Sequence, residues 1–199
     1  MSEWSDYYDK GVDADLYIRN LYGQREFLLA IIADGPKRVL EVGAGTGTMS
    51  VFLSQLGLAV TTLDNDPTIL GQAKTIQARL GGKNQLVEGD AFRLPFPDNS
   101  FDIVFHQGLL EHFAPKQIHQ LLQEGLRVAP TVWLSVPNNW YPRRDFGDEI
   151  LLSKSAWEKI LQPYRVVVSR NYSLKFFPKW YLPRVPIQYM AKLERHEPR

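Results

Sequence analysis

One stretch restricts the fold of this chain more than any other: Arg38-Val-Leu-Glu-Val-Gly-Ala-Gly-Thr-Gly-Thr48. Apolar-rich strand residues run directly into glycines at 43, 45 and 47, and a helical pattern follows in Met49-Ser-Val-Phe-Leu-Ser-Gln-Leu56. Glycines at such a turn permit positive φ and let a ligand lie against bare backbone. The helix that follows offers unpaired N–H groups and a partial positive charge. The unit therefore predicts a pocket for a nucleotide-like ligand.

The glycine register argues against a nicotinamide or flavin site. That fingerprint needs glycine at the first, third and sixth positions, with a pyrophosphate on the helix N-terminus. Counted from Gly43, the sixth residue is Thr48, and the third glycine comes one residue early. Leu58-Ala-Val-Thr-Thr-Leu-Asp64 reads as a second strand ending in a carboxylate. An acid there can accept hydrogen bonds from both ribose hydroxyls. The pattern suits a ribose-containing ligand without demanding a phosphate.

Strand and helix patterns alternate along the rest of the chain, as in a mostly parallel sheet covered on both faces. One amphipathic helix is expected over 15–33, with Leu16, Leu21, Leu28 and Ile32 among its apolar positions. Strand 38–43 and helix 48–56 follow. Asp66-Pro67 supplies a cap and first-turn proline for the next helix, which Gly81-Gly82 closes. Strands are expected at 84–88, 101–106 and 131–136, with a helix opened by Pro115 between the last two. The 131–136 strand is near-continuously apolar and so buried on both sides. A helix at 153–161, a strand at 164–170 and a final strand at 187–194 complete the reading, after an aromatic, proline-rich segment at 174–190.

Composition fits one domain across 1–199. The chain has no cysteine, so neither a disulfide nor a thiolate–metal site can form. No apolar run is long enough to span a membrane, and Met-Ser-Glu-Trp-Ser-Asp-Tyr-Tyr lacks the regions of a signal peptide. A cytoplasmic location is the expectation. The formal net charge of +1 removes the electrostatic argument for nucleic-acid binding. Charge is unevenly spread: residues 1–139 hold 11 Lys/Arg and 16 Asp/Glu, and residues 140–199 hold 12 and 6. A solvated basic surface is the ordinary reading of that tail; an anionic substrate is the sharper one.

Val39-Leu-Glu-Val-Gly-Ala-Gly-Thr-Gly47 resembles motif I of class I S-adenosylmethionine (SAM)-dependent methyltransferases. Three later segments keep that family's order: Thr62-Leu-Asp-Asn-Asp66, Val87-Glu-Gly-Asp-Ala-Phe-Arg-Leu-Pro-Phe96, and Asn99 to Phe113. The nearest subgroup is the small-molecule "type 11" methyltransferases, which include quinone-biosynthesis C-methylases. The resemblance covers residues 38–136. It implies an α/β fold: a doubly wound, mostly parallel Rossmann-like sheet of about seven strands with helices on both faces. Residues 1–35 would form a helical lid region, 36–136 the cofactor core, and 137–199 the substrate-side loop, last helix and strands.

The resemblance also assigns roles. Gly43, Ala44, Gly45 and Gly47 would form the cofactor loop, with Glu41 facing the methionine amino group. Asp64, with Asn65 beside it, would take the ribose. Asp90 and Ala91 would hold the adenine, although Asp90 as a turn residue before Phe92 is the alternative. Gln107 would face the methionine portion of SAM, whose demethylated product is S-adenosylhomocysteine (SAH). His112 is a candidate general base; helix capping or a core hydrogen bond is the competing reading. Some relatives bind a divalent metal through Glu-x-x-Glu-His here. Gly108 occupies the first position of that set in this chain, so no metal is expected.

Substrate-side residues in this fold come from the N-terminal region and the loop after the fifth strand. They would include Tyr8, Tyr17, Trp140, Tyr141 and Arg143, as a lid or against a planar substrate, or merely as a seal for the sheet edge. Methyl transfer to a small-molecule acceptor is the expected function, with oligomeric state open. The alternative is a non-catalytic SAM-binding partner protein.

Overall fold

The computed structural model describes residues 12–142, 148–175 and 185–196. In chain order these form α1 (Ala14–Gly23), α2 (Arg25–Ala33), β1 (Arg38–Val42), α3 (Thr48–Gln55), β2 (Ala59–Asp64), α4 (Pro67–Leu80) and β3 (Gln85–Glu88). Then come β4 (Ile103–Gln107), a 3-10 turn (Leu110–His112), α5 (Pro115–Val128), β5 (Thr131–Pro137), α6 (Lys154–Leu161), β6 (Arg165–Lys175) and β7 (Val185–Glu194).

The seven strands make one sheet in the order β3-β2-β1-β4-β5-β7-β6. Strands β1 to β5 are mutually parallel, and β7 runs antiparallel between β5 and β6. The chain steps outward from β1 through β2 to β3, then crosses back to place β4 on the other side of β1. That reversal opens a crevice at the carboxyl ends of β1 and β4, where ligands bind in sheets of this kind.

Side-chain alternation along each strand divides the core into two layers. Val39, Phe105 and Trp133 pack with Phe27, Leu28 and Ile31 of α2 and with Met49 and Leu53 of α3. Phe27 is the hub of that layer, its ring 6.2 Å from Phe105, 6.1 Å from Trp133 and 6.4 Å from Tyr172. Leu40, Val104 and Leu134 face the other way, onto Ile118, Leu121 and Leu122 of α5 and Trp157 and Leu161 of α6. Helices thus cover both faces, as the resemblance implies.

Asp66 caps α4 through Thr68 N–H (2.8 Å) with Pro67 at the first turn, and Ser153 caps α6. The loop between β3 and β4 is held by Arg127 of α5, whose guanidinium donates to the carbonyls of Leu94 and Phe96 and to Glu124 and Asp98.

Two expectations change. The helix foreseen over 15–33 is two helices, because Gly23 lacks helix propensity and Gln24 leaves helical geometry (φ −100°, ψ 7°). Leu16 is accordingly 40% exposed rather than packed in the core. The last hairpin is longer than its apolar signal, with β6 reaching residue 175 and β7 starting at Val185. Pro186 is tolerated near the start of β7. Its carbonyl, and that of Gln188, accept from the buried Asn138 amide (2.8 and 3.3 Å), which ties the hairpin to the end of β5. Among the described residues, no helix is long and apolar enough to cross a membrane.

Candidate functional site

All three loop glycines adopt left-handed backbone: φ is +67° at Gly43, +52° at Gly45 and +65° at Gly47. An L side chain is strained there, so each position demands glycine on backbone grounds. Gly43 has a second reason, since a Cβ on it would stand 2.6 Å from Leu109 Cδ1. The loop is laced to the end of β2: the N–H groups of Gly43 and Ala44 donate to Leu63 O (2.9 and 3.3 Å). Gly45 N–H donates to Asp64 Oδ2 (3.2 Å).

Asp64 sits at the carboxyl end of β2, and its Oδ1 accepts from Asp66 N–H (3.1 Å). Burial raises its pKa, opposed by the backbone N–H groups of Asp66, Gly45 and Asn65. A carboxylate has about four lone-pair positions, so these N–H contacts leave acceptor capacity for a ligand hydroxyl. Asn65 is exposed at the cavity rim.

Glu41 is buried on β1 and accepts from Ser50 N–H (3.2 Å) and Ser50 Oγ at the start of α3. Burial pushes its pKa up to about 7 against those bonds, and the Asp64 charge adds to the rise. Glu41, Gly43, Ala44, Gly45, Asp64, Asn65, Asp90, Ala91 and Gln107 all line one cavity of about 1250 Å³. Gly47 is not among its lining residues; its N–H closes the loop onto Ala44 O (2.9 Å). Asp90 lines the cavity while its Oδ1 accepts from Phe92 N–H (2.8 Å), so the turn reading of this residue holds as well. Gln107 ends β4 at the switch point, paired with Ser135 of β5.

The same cavity is lined by His112. Its Nδ1 lies 2.8 Å from Asp148 Oδ1, with its side chain 8% exposed against 60% for Asp148. His112 does not cap α5: the N-cap is Ala114, whose N–H is taken by Gln117 Oε1. Glu111 beside it is buried, and burial pushes its carboxyl up to about 8, with Glu149 and Asp148 adding to the rise. The Glu111 carbonyl accepts from Ile150 N–H (2.8 Å), fastening the segment after β5 to the turn after β4. Among the described residues, no group of three His, Asp or Glu side chains is arranged to hold a metal.

The substrate-side candidates separate. Tyr141 lines the cavity, whereas Trp140 is 58% exposed and does not. Tyr17 does not line it either: its hydroxyl donates to Gln55 Oε1 (3.1 Å), joining α1 to α3, so here it serves as a brace rather than a wall. Tyr8 and Arg143 lie outside the described residues. Sequence reasoning missed Asp148, Glu149, Gln188 and the α1–α2 residues Arg19, Asn20 and Gln24 as cavity residues. Of these, only the Gly23-Gln24 pair carried a local signal, as a helix interruption.

Comparison with known proteins agrees with this arrangement. A family described as "Methyltransferase domain" matches residues 39–130. An uncharacterised methyltransferase of Synechocystis is 30% identical over 133 residues, covering 62% of this chain and 60% of the relative. The chloroplastic 2-methyl-6-phytyl-1,4-hydroquinone methyltransferase 2 of Oryza sativa is 30% identical over 182 residues, covering 84% of this chain and 44% of the relative. The chain thus spans roughly half the length of these relatives. Magnesium protoporphyrin IX methyltransferase from Synechocystis PCC 6803, solved with bound SAH, superposes with a TM-score of 0.69 at 18% identity, covering 97% of this chain and 93% of that one. Residues 39–130 thus match a methyltransferase domain, on a fold shared with solved SAM-dependent methyltransferases.

Proposed function

We propose that this protein transfers a methyl group from SAM to a small-molecule acceptor held in the cavity, with His112 as general base. The observation that carries the reading is that one cavity is lined both by the glycine loop, Glu41 and Asp64 and by the His112–Asp148 pair. The cofactor half fits SAM chemically. Asp64 offers acceptor capacity to ribose hydroxyls, Glu41 offers a buried carboxyl to an ammonium, and the positive-φ glycines keep side chains off the loop.

When bound, SAM supplies an electrophilic sulfonium methyl whose C–S electron pair stays with sulfur as the acceptor atom forms the new bond. What the chain adds is positioning, water exclusion and a destination for the acceptor's proton. With the Nδ1 proton directed to Asp148, Nε2 is the basic nitrogen of His112. Asp148 holds the ring in that tautomer and stabilises the imidazolium that forms. The rice relative is named for a hydroquinone, and a phenolic acceptor is of the kind that must give up a proton.

The test is methyl transfer from isotopically labelled SAM to a panel of phenolic and amine acceptors. Wild type is expected to turn over at least one of them. His112→Gln is expected to lose about 10²–10⁴ in kcat with SAH affinity unchanged. Full activity in His112→Gln removes it as the base, and SAM binding without any turnover favours a non-catalytic binding protein.

A further inference from the structure

Two side chains that line the cavity take no part in the account above. Glu111 is 3% exposed and Gln188 7%, and both line the cavity. Glu111 Oε2 and Gln188 Oε1 have no hydrogen-bond partner among the described residues. Buried polar atoms are nearly always paired, and leaving one without a partner is costly, so two in one cavity point to a ligand that completes them.

They reach the cavity from separate elements. Glu111 lies in the 3-10 turn after β4, whereas Gln188 is on β7, opposite Pro137 at the end of β5. Both atoms are oxygens, and a carboxyl keeps acceptor capacity in either protonation state. Among the described residues of the wall, the sole Lys or Arg is Arg19, whose Nε is bound to Asp15 at 2.7 Å. Asp64, Asp90 and Asp148 carry carboxylates into the same cavity, while burial favours the neutral, hydrogen-bonding form of Glu111. A wall of this composition repels anions and seeks hydrogen-bond donors.

We propose that Glu111 and Gln188 recognise the methyl acceptor, and that this acceptor is a hydroxyl- or amine-bearing molecule donating hydrogen bonds to both, not one presenting a carboxylate or phosphate to this wall. The inference rests on the methyltransferase reading, since it takes the cavity to hold SAM and acceptor together. It makes Gln188 a specificity residue on a strand far in sequence from the cofactor motifs.

The test uses the SAH-saturated protein and three probes of similar shape: 4-(hydroxymethyl)phenol, its dimethyl ether, and benzene-1,4-dicarboxylate. Calorimetry is expected to show the diol binding roughly tenfold tighter than the ether, with the dicarboxylate weakest. Gln188→Met keeps the length of the side chain and removes its oxygen; it is expected to shrink the diol-to-ether ratio several-fold while SAH affinity and thermal unfolding stay as in wild type. Glu111→Gln, which keeps an acceptor oxygen, is expected to retain the preference. Equal binding of diol and ether, preference for the dicarboxylate, no binding of any probe, or an unchanged ratio in Gln188→Met overturns the proposal. In each of those cases SAH still binds, whereas failure of SAH to bind overturns the methyltransferase reading itself.

Discussion

Glu41 serves two structural demands at once. It anchors the first turn of α3 through Ser50, and its carboxyl faces the cavity from a position where burial raises its pKa to about 7. Below that pH the folded, ligand-free protein holds a proton there. A ligand ammonium facing the group favours the carboxylate, so binding expels the proton. SAH affinity is therefore predicted to rise with pH up to about 7 and then level off. Calorimetry at pH 6 in buffers of different ionisation enthalpy should register close to one proton released per SAH bound, and a pH-independent affinity from 6 to 8 contradicts this role. At this scale the cofactor half was legible in the sequence, because Gly43, Gly45, Asp64 and Glu41 lie within one strand–loop–helix–strand unit. The acceptor half was not. Asp148 stands 36 residues beyond His112, and Gln188 reaches the cavity through the β5–β7 pairing, which no local spacing encodes.

Among the elements, the turn after β4 and the glycine loop are fitted to each other, with Leu109 lying over the bare face of Gly43. Gly43→Ala is predicted to destabilise the protein by about 1–3 kcal/mol, from left-handed backbone strain plus displacement of Leu109. Leu109→Ala should remove the steric part of that loss and leave the backbone part, so in denaturant unfolding the double variant should lose less than the sum of the two single losses; strictly additive losses speak against the contact. Arg127 offers a control remote from the cavity. Arg127→Met strands the carbonyls of Leu94 and Phe96, with a predicted loss of about 1–3 kcal/mol in urea unfolding and no change in SAH affinity. Caps and periodicity located most elements, as Asp66-Pro67 and the helix read at 153–161 show. The break at Gln24 escaped because apolar residues continue across it, and the aromatic 174–190 segment concealed where β7 begins.

For the molecule as a whole, three buried groups set opposing pH dependences. His106, buried on β4, has its pKa lowered by burial from 6.5 to about 4. Its neutral form is favoured in the fold, so this contribution is fully present above about 6.5 and is lost as pH falls towards 4. Glu41 and Glu111 act in the opposite sense, raised from 4.5 to about 7 and about 8. Their contributions are present below about 4.5 and are lost as pH rises to 7 and 8 respectively. Each group can change stability by at most about 1.4 kcal/mol per pH unit within its window. Glu111→Gln is therefore predicted to melt higher than wild type at pH 8 and to converge with it near pH 5; an offset independent of pH contradicts the assignment. The mostly parallel, doubly wound sheet was implied by the resemblance that four ordered motifs carry, whereas the strand order, whose return from β3 to β4 makes the switch point, is set by pairings that the motifs do not encode.

The central claim is that the crevice at that switch point holds SAM with its ribose on Asp64. Titration calorimetry of SAH into wild type and Asp64→Ala tests it most directly. The account predicts one-to-one binding to wild type and an affinity loss of roughly tenfold or more in the variant, with unfolding otherwise cooperative. No binding of SAH to wild type, or unchanged affinity in Asp64→Ala, contradicts it.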